Sequence, residues 1–111
     1  MIILNWNYRG LGNQRAVEVL SQLVREKVLK VLFLMETKQS MDEMQQIQEG
    51  LPYRCMLAIS SIRRSGGLAL LWMKEVDLHI QIFTLNHIDA LILNDPNTPW
   101  RLASFYGWSK E

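Results

Sequence analysis

Cysteine is nearly absent from this 111-residue chain: there is one, Cys55, beside only two histidines, His79 and His87. A single thiol cannot close an internal disulfide, and no cysteine–histidine cluster offers the spacing of a zinc site. Cys55 lies in the apolar stretch 53–59, where its expected role is that of a small buried hydrophobe. Such cysteine usage fits a reducing compartment, so the expectation is an intracellular protein. An excess of one charge is missing too, the formal net charge being +1. Duplex-binding modules usually carry a stronger basic excess, so charge neither supports nor excludes nucleic acid as a partner. No apolar run approaches the ~20 residues needed to span a bilayer. The start, Ile2 to Leu4, lacks the basic residues and long apolar core of a signal peptide. Repeats, low-complexity tracts and linkers are also absent. With 49% apolar residues, the chain has material for a core and reads as one soluble domain, residues 1–111.

Residues 2–7 read as a buried strand closed by Asn7, followed by a glycine-containing turn through Gly10 and Gly12. Asn13 is placed to cap a helix running to about Glu26, with Ala16, Leu20, Leu23 and Val24 on one stripe. Residues 30–35 form a second strand, apolar on both faces as an inner parallel strand should be. Strand, helix and strand make a right-handed βαβ unit. Ser40 and Glu43 then spell a capping box ahead of a second helix with Met44, Ile47 and Leu51 inward, ended by Gly50 and Pro52. From Tyr53 the pattern turns to strands: 53–60 and 67–72 as a hairpin, 77–83, 87–93 and 100–106. Along 77–83, Leu78, Ile80 and Ile82 fall on one face, and Asp77, His79 and Gln81 on the other. The fold class expected is α/β (α+β), one βαβ unit followed by an antiparallel meander in a mixed sheet.

Two strands end in polar side chains suited to a metal–phosphate site, Asn7 after the first and Glu36 after the second. In α/β proteins, ligand sites lie at the carboxyl ends of strands. A carboxylate directly after an apolar strand is costly to bury alone, so Glu36 reaches solvent, pairs with a cation or binds a metal. Mg²⁺ is typically held by one or two carboxylates plus waters and phosphate oxygens, and Glu36 is that kind of ligand. Asn7 can orient a phosphate oxygen or simply hydrogen-bond its own turn. The Gly10/Gly12 turn lacks the endings of a P-loop or dinucleotide fingerprint and reads as a tight βα turn. Arg63 and Arg64 can touch a phosphate backbone or be a solvated hairpin tip. His79 and His87 have no acidic orienting partner at an obvious local spacing and read as surface histidines. Tyr106 and Trp108 close the last strand, as a substrate contact or as terminal core.

Four segments taken together carry a resemblance: Asn5-Trp6-Asn7-Tyr8-Arg9-Gly10-Leu11-Gly12, Phe33-Leu34-Met35-Glu36-Thr37-Lys38, Ser65-Gly66-Gly67-Leu68-Ala69-Leu70-Leu71-Trp72, and Trp100-Arg101-Leu102-Ala103-Ser104-Phe105-Tyr106-Gly107. In order and spacing they resemble the N-terminal part of the endonuclease/exonuclease/phosphatase (DNase I-like) superfamily. The closest likeness is to the endonuclease region of plant non-LTR (LINE-type) retrotransposons. The resemblance implies the N-terminal half of a four-layer α/β sandwich and Mg²⁺-dependent cleavage of phosphodiester bonds, with DNA as partner. It makes Glu36 a Mg²⁺ ligand, Asn7 an organiser of the phosphate site and Tyr106 a contact to the scissile phosphate.

Tyr8 and Asn5 depart from the residues usual in the plant elements. More consequentially, the family's Gly-Asp-x-Asn motif, its later aspartates and its closing Ser-Asp-His are not among these 111 residues. Two readings follow. One is the amino-terminal half of a Mg²⁺-dependent DNA endonuclease, a truncated domain inactive alone. The other is a non-catalytic remnant or binding protein derived from a decayed retroelement. A half-sandwich is also expected to expose Leu78, Ile80 and Ile82 and to self-associate through that apolar face.

Overall fold

The structure is a computed structural model and describes residues 3–7, 14–26, 29–61, 66–85, 87–94 and 97–105. Its elements run β1 (Ile3–Asn7), α1 (Gln14–Glu26), β2 (Val31–Met35), α2 (Met41–Glu49), β3 (Cys55–Ile59), β4 (Leu68–Trp72), β5 (Leu78–Thr84), β6 (His87–Ile92) and β7 (Trp100–Phe105). The βαβ unit stands as expected: β1 and β2 pair in parallel, Ile3 opposite Val31 through Asn7 opposite Met35. In α1, Leu20 and Val24 are buried and Leu23 is half-buried, as the stripe requires. The capping box also forms. Glu43 N donates to Ser40 Oγ at 3.2 Å, and Ser40 N donates to Glu43 Oε1 at 2.8 Å. These bonds satisfy amides that have no partner inside the helix.

The strands divide into two sheets, which corrects the single mixed sheet expected. The first has the order β1-β2-β4-β3, and the second is an antiparallel meander, β5-β6-β7. The returning strand β4 inserts between β2 and β3 and runs antiparallel to both. Sheet register then sorts the side chains. Leu32 and Leu34 of β2, with Ala69 and Leu71 of β4 and Ala58 of β3, face the helices and pack with Leu20, Val24, Met44 and Tyr53. Val31, Phe33, Leu68, Leu70 and Ile59 face the second sheet and pack with Ile88, Ala90 and Ile92. The result is three layers, helices, sheet and sheet, and β2 is buried from both sides because it lies in the middle one.

The second sheet corrects two more expectations. Leu78 and Ile80 are partly buried against the inter-sheet core rather than left exposed, so this chain supplies its own covering layer for them. The register of β5 on β6 slips between Ile80 and Ile82, so Ile80 opposes Ala90 while Ile82 opposes Asp89. A bulge adds one residue and reverses the alternation beyond it. Ile82 therefore leaves the core face, and Phe83 falls opposite the buried Ile88. Cys55, expected buried, is only half-buried, at the start of the edge strand β3. No helix among the described residues is long and apolar enough to cross a membrane.

Tyr53 ties the two helix-bearing loops together: its hydroxyl donates to Leu29 O at 3.1 Å from a ring that is 2% exposed. Burial pushes its phenol up to about 12. Folding thus favours the neutral phenol, so this contribution is complete below the unfolded pKa of about 10 and is lost between pH 10 and about 12. Tyr53→Phe is expected to cost about 1 kcal/mol by leaving the Leu29 carbonyl without its donor. It should also remove the steepest part of the alkaline loss of stability, which urea unfolding between about pH 8 and about 12 would measure.

Candidate functional site

Parallel pairing delivers β1 and β2 to one sheet edge. Asn7 is the register partner of Met35, so the residue that follows Met35, Glu36, leaves the sheet beside the end of β1. The two residues singled out from the sequence are therefore neighbours at the carboxyl ends of adjacent strands. Asn7 is placed here by its backbone. Tyr106, Arg63 and Arg64 lie outside the described residues. The row Thr84–His87–Phe105 of the second sheet ends at this same side. Thr84 and Leu85 share a groove of about 450 Å³ with Met41, Phe83 and Ala58, Ile59 and Ser60 at the end of β3. Ile59 in turn opposes Leu68, which opposes Met35. The last described residue before Tyr106 thus sits at the end of the molecule that carries Glu36.

Beyond Met35 the backbone makes an unusual strap. Glu36 and Lys38 have φ of 55° and 57°, the left-handed region that costs an L-residue roughly 1–2 kcal/mol each. Surrounding bonds hold it there. Thr37 N donates to Gly67 O at 3.2 Å and Lys38 N to Gly66 O at 2.9 Å, while Ser61 N donates to Gln39 O at 2.9 Å. Thr37 is fully buried, and its hydroxyl lies so close to Gly67 that a β-carbon there would collide with it. Gly67 also has a φ of 94°, so both space and backbone call for glycine. Strain of this kind persists only where its surroundings over-determine it, and it concentrates at functional sites.

Glu36 is half-buried and makes polar interactions of its own; its Oε2 is a buried acceptor with no hydrogen-bond donor among the described residues. A carboxylate oxygen so placed has the chemistry to receive a hard cation such as Mg²⁺. No group of three or more His, Cys, Asp or Glu side chains gathers at metal-binding distance among the described residues.

Two other acidic groups are paired with cations. Asp89 is buried and takes a two-armed contact from Arg101, at 3.2 Å to Oδ1 and 2.6 Å to Oδ2. These bonds hold its carboxyl below the usual range. Glu75, paired with Lys30, is lowered for the same reason. His79 does have an orienting carboxylate, contrary to expectation: Nε2 lies 2.7 Å from Asp77 Oδ1. That i, i+2 spacing on one strand face was visible in the sequence. Both groups are about half exposed. His87 is half-buried near Asp89. The strap partners Thr37, Gln39 and Gly67 were missed; the polar run after β2 and the doubled glycine before β4 were their only signals.

No protein-family model matches this sequence, and no curated protein is similar to it in sequence. Among solved structures, the chain is similar to an AP endonuclease from Leishmania major, with a TM-score of 0.69 at 16% identity. The match covers 94% of this chain and 39% of that one, so the chain spans about two-fifths of the neighbour's length. The fold is therefore DNase I-like over part of such a domain, an α+β arrangement whose three layers are those described above.

Proposed function

We propose that these residues carry the amino-terminal part of a Mg²⁺-dependent phosphodiesterase site acting on DNA, of the endonuclease/exonuclease/phosphatase superfamily and the LINE retrotransposon type. The observation that supports it best is the parallel register that sets Asn7 opposite Met35 and Glu36 next to both. Likeness in fold to an AP endonuclease supports a nuclease over other phosphate chemistries. In this reading Glu36 holds the metal through its carboxylate, Asn7 orients a phosphate oxygen, and Tyr106 contacts the scissile phosphate. Arg63 and Arg64 are weaker candidates for the DNA backbone. A bound Mg²⁺ supplies Lewis-acid polarisation of the phosphoryl oxygen and stabilises the leaving group. The chain's own contribution is to fix its ligand on a rigid strand end, which limits reorganisation when charge develops.

Within these 111 residues there is no Gly-Asp-x-Asn or Ser-Asp-His sequence. Catalytic groups that act as a unit leave only a residual rate when some are lacking. The 111-residue chain alone is therefore expected to leave supercoiled plasmid intact in Mg²⁺. Nicking that disappears in Glu36→Ala would show instead that these residues suffice for catalysis. Self-association, if it occurs, belongs at the exposed Met41, Phe83 and Leu85.

A further inference from the structure

Gln39 is 5% exposed, unusual for a glutamine, and its side-chain amide nitrogen and backbone N–H both turn back onto the strap. Its Nε2 donates to the carbonyl of Lys38 at 3.0 Å and to that of Thr37 at 3.3 Å. Its backbone N lies 3.4 Å from Thr37 Oγ1, and its carbonyl accepts from Ser61 N. One side-chain amide thus spans the two peptide units that follow Thr37, while the bond from Thr37 N to Gly67 fixes the unit that follows Glu36. Together they tie down the backbone on both sides of a double left-handed turn that would otherwise relax to cheaper angles. No helix or strand needs Gln39 in this place: α2 is already capped by Ser40, with Glu43 completing the box.

We propose that Gln39 is the positioning residue of the candidate site, locking the left-handed strap so that the Glu36 carboxylate is presented at the ends of β1 and β2. This rests on the reading of Glu36 as the metal ligand, and the test separates the two. In the unmodified chain, both side-chain amide protons of Gln39 should exchange slowly. Glu36 and Lys38 should show the strong intraresidue amide-to-Hα NOEs of positive φ. Gln39→Met keeps length and apolar bulk but loses the amide. It should abolish those NOEs, speed exchange of the Lys38 amide about tenfold, and weaken Mn²⁺ binding as far as Glu36→Gln does, while unfolding stays cooperative. As a milder pair, Thr37→Ser should retain Mn²⁺ affinity and Thr37→Val should lose part of it. Rapid exchange of the Gln39 amide in the unmodified chain would overturn the proposal without any variant having to fold. So would an intact strap in Gln39→Met, or a loosened strap with full Mn²⁺ affinity while Glu36→Gln abolishes it. Should Glu36→Gln leave Mn²⁺ binding unchanged, the metal reading fails, and the NOE and exchange results still decide whether Gln39 locks the strap.

Discussion

Phe33→Ala is expected to lower stability by about 3–5 kcal/mol, the range for emptying a buried phenylalanine site. Phe33 is fully buried at the centre of β2, opposite Leu70 of β4, and packs with Ile88, Ala90 and Ile92 of the second sheet. Its ring fills the junction of the two sheets, and neither can close the void without breaking its own ladder. Domains of this size typically have about 5–15 kcal/mol in total, so the loss is a large share. Ile82→Ala is the matched control. Ile82 is 57% exposed beyond the bulge, so its truncation should stay within about 0.5 kcal/mol. Urea unfolding of the two variants would show a wide separation in midpoint. Equal, small losses would mean that the sheets do not pack as described.

Gly67→Val is expected to be nearly as damaging, about 3 kcal/mol or more, for a different reason. A β-branched residue at a φ of 94° is strained wherever it stands. Here its β-carbon would also collide with Thr37 Oγ1 and come within 3.2 Å of the Lys38 amide nitrogen. Relief requires the strap to lift, breaking the bonds from Thr37 N and Lys38 N to the Gly66–Gly67 segment, each worth about 1 kcal/mol net. Gly50→Ala offers the contrast: its φ is −89° and a β-carbon would sit 3.7 Å from Ile47 O, an ordinary contact. Thermal unfolding should leave Gly50→Ala near the parent and drop Gly67→Val by many degrees. Parity between them would remove the basis for a constrained strap.

What could be read from the sequence was local. The α1 stripe, the Ser40–Glu43 box and the apolar run of β2 each declare themselves within a few residues, and so does the pairing of two strand ends, because a βαβ unit has one favoured hand. That is why Asn7 and Glu36 were found together. The division into two sheets was not legible, since strand periodicity says which face is apolar but not which strand lies alongside. The bulge before Ile82 was hidden for a related reason: nothing in the Gln81 neighbourhood marks an extra residue, and only the register against Asp89 and Ala90 reveals it. The strap at 36–39 depends on Gly66, Gly67 and Ser61, some twenty to thirty positions away, and on left-handed angles at Glu36 and Lys38 that those side chains do not favour. Local preference predicted none of it because tertiary bonds impose it.

The central claim, that the ends of β1 and β2 form a divalent-metal site through Glu36, is tested most directly by titrating the isotope-labelled chain with Mn²⁺ and following paramagnetic broadening of its amides. The account predicts that broadening begins at Asn7, Met35, Glu36 and Thr37 and is lost from these positions in Glu36→Gln. Broadening that begins instead at Asp77 and His79, or that survives unchanged in Glu36→Gln, would contradict it.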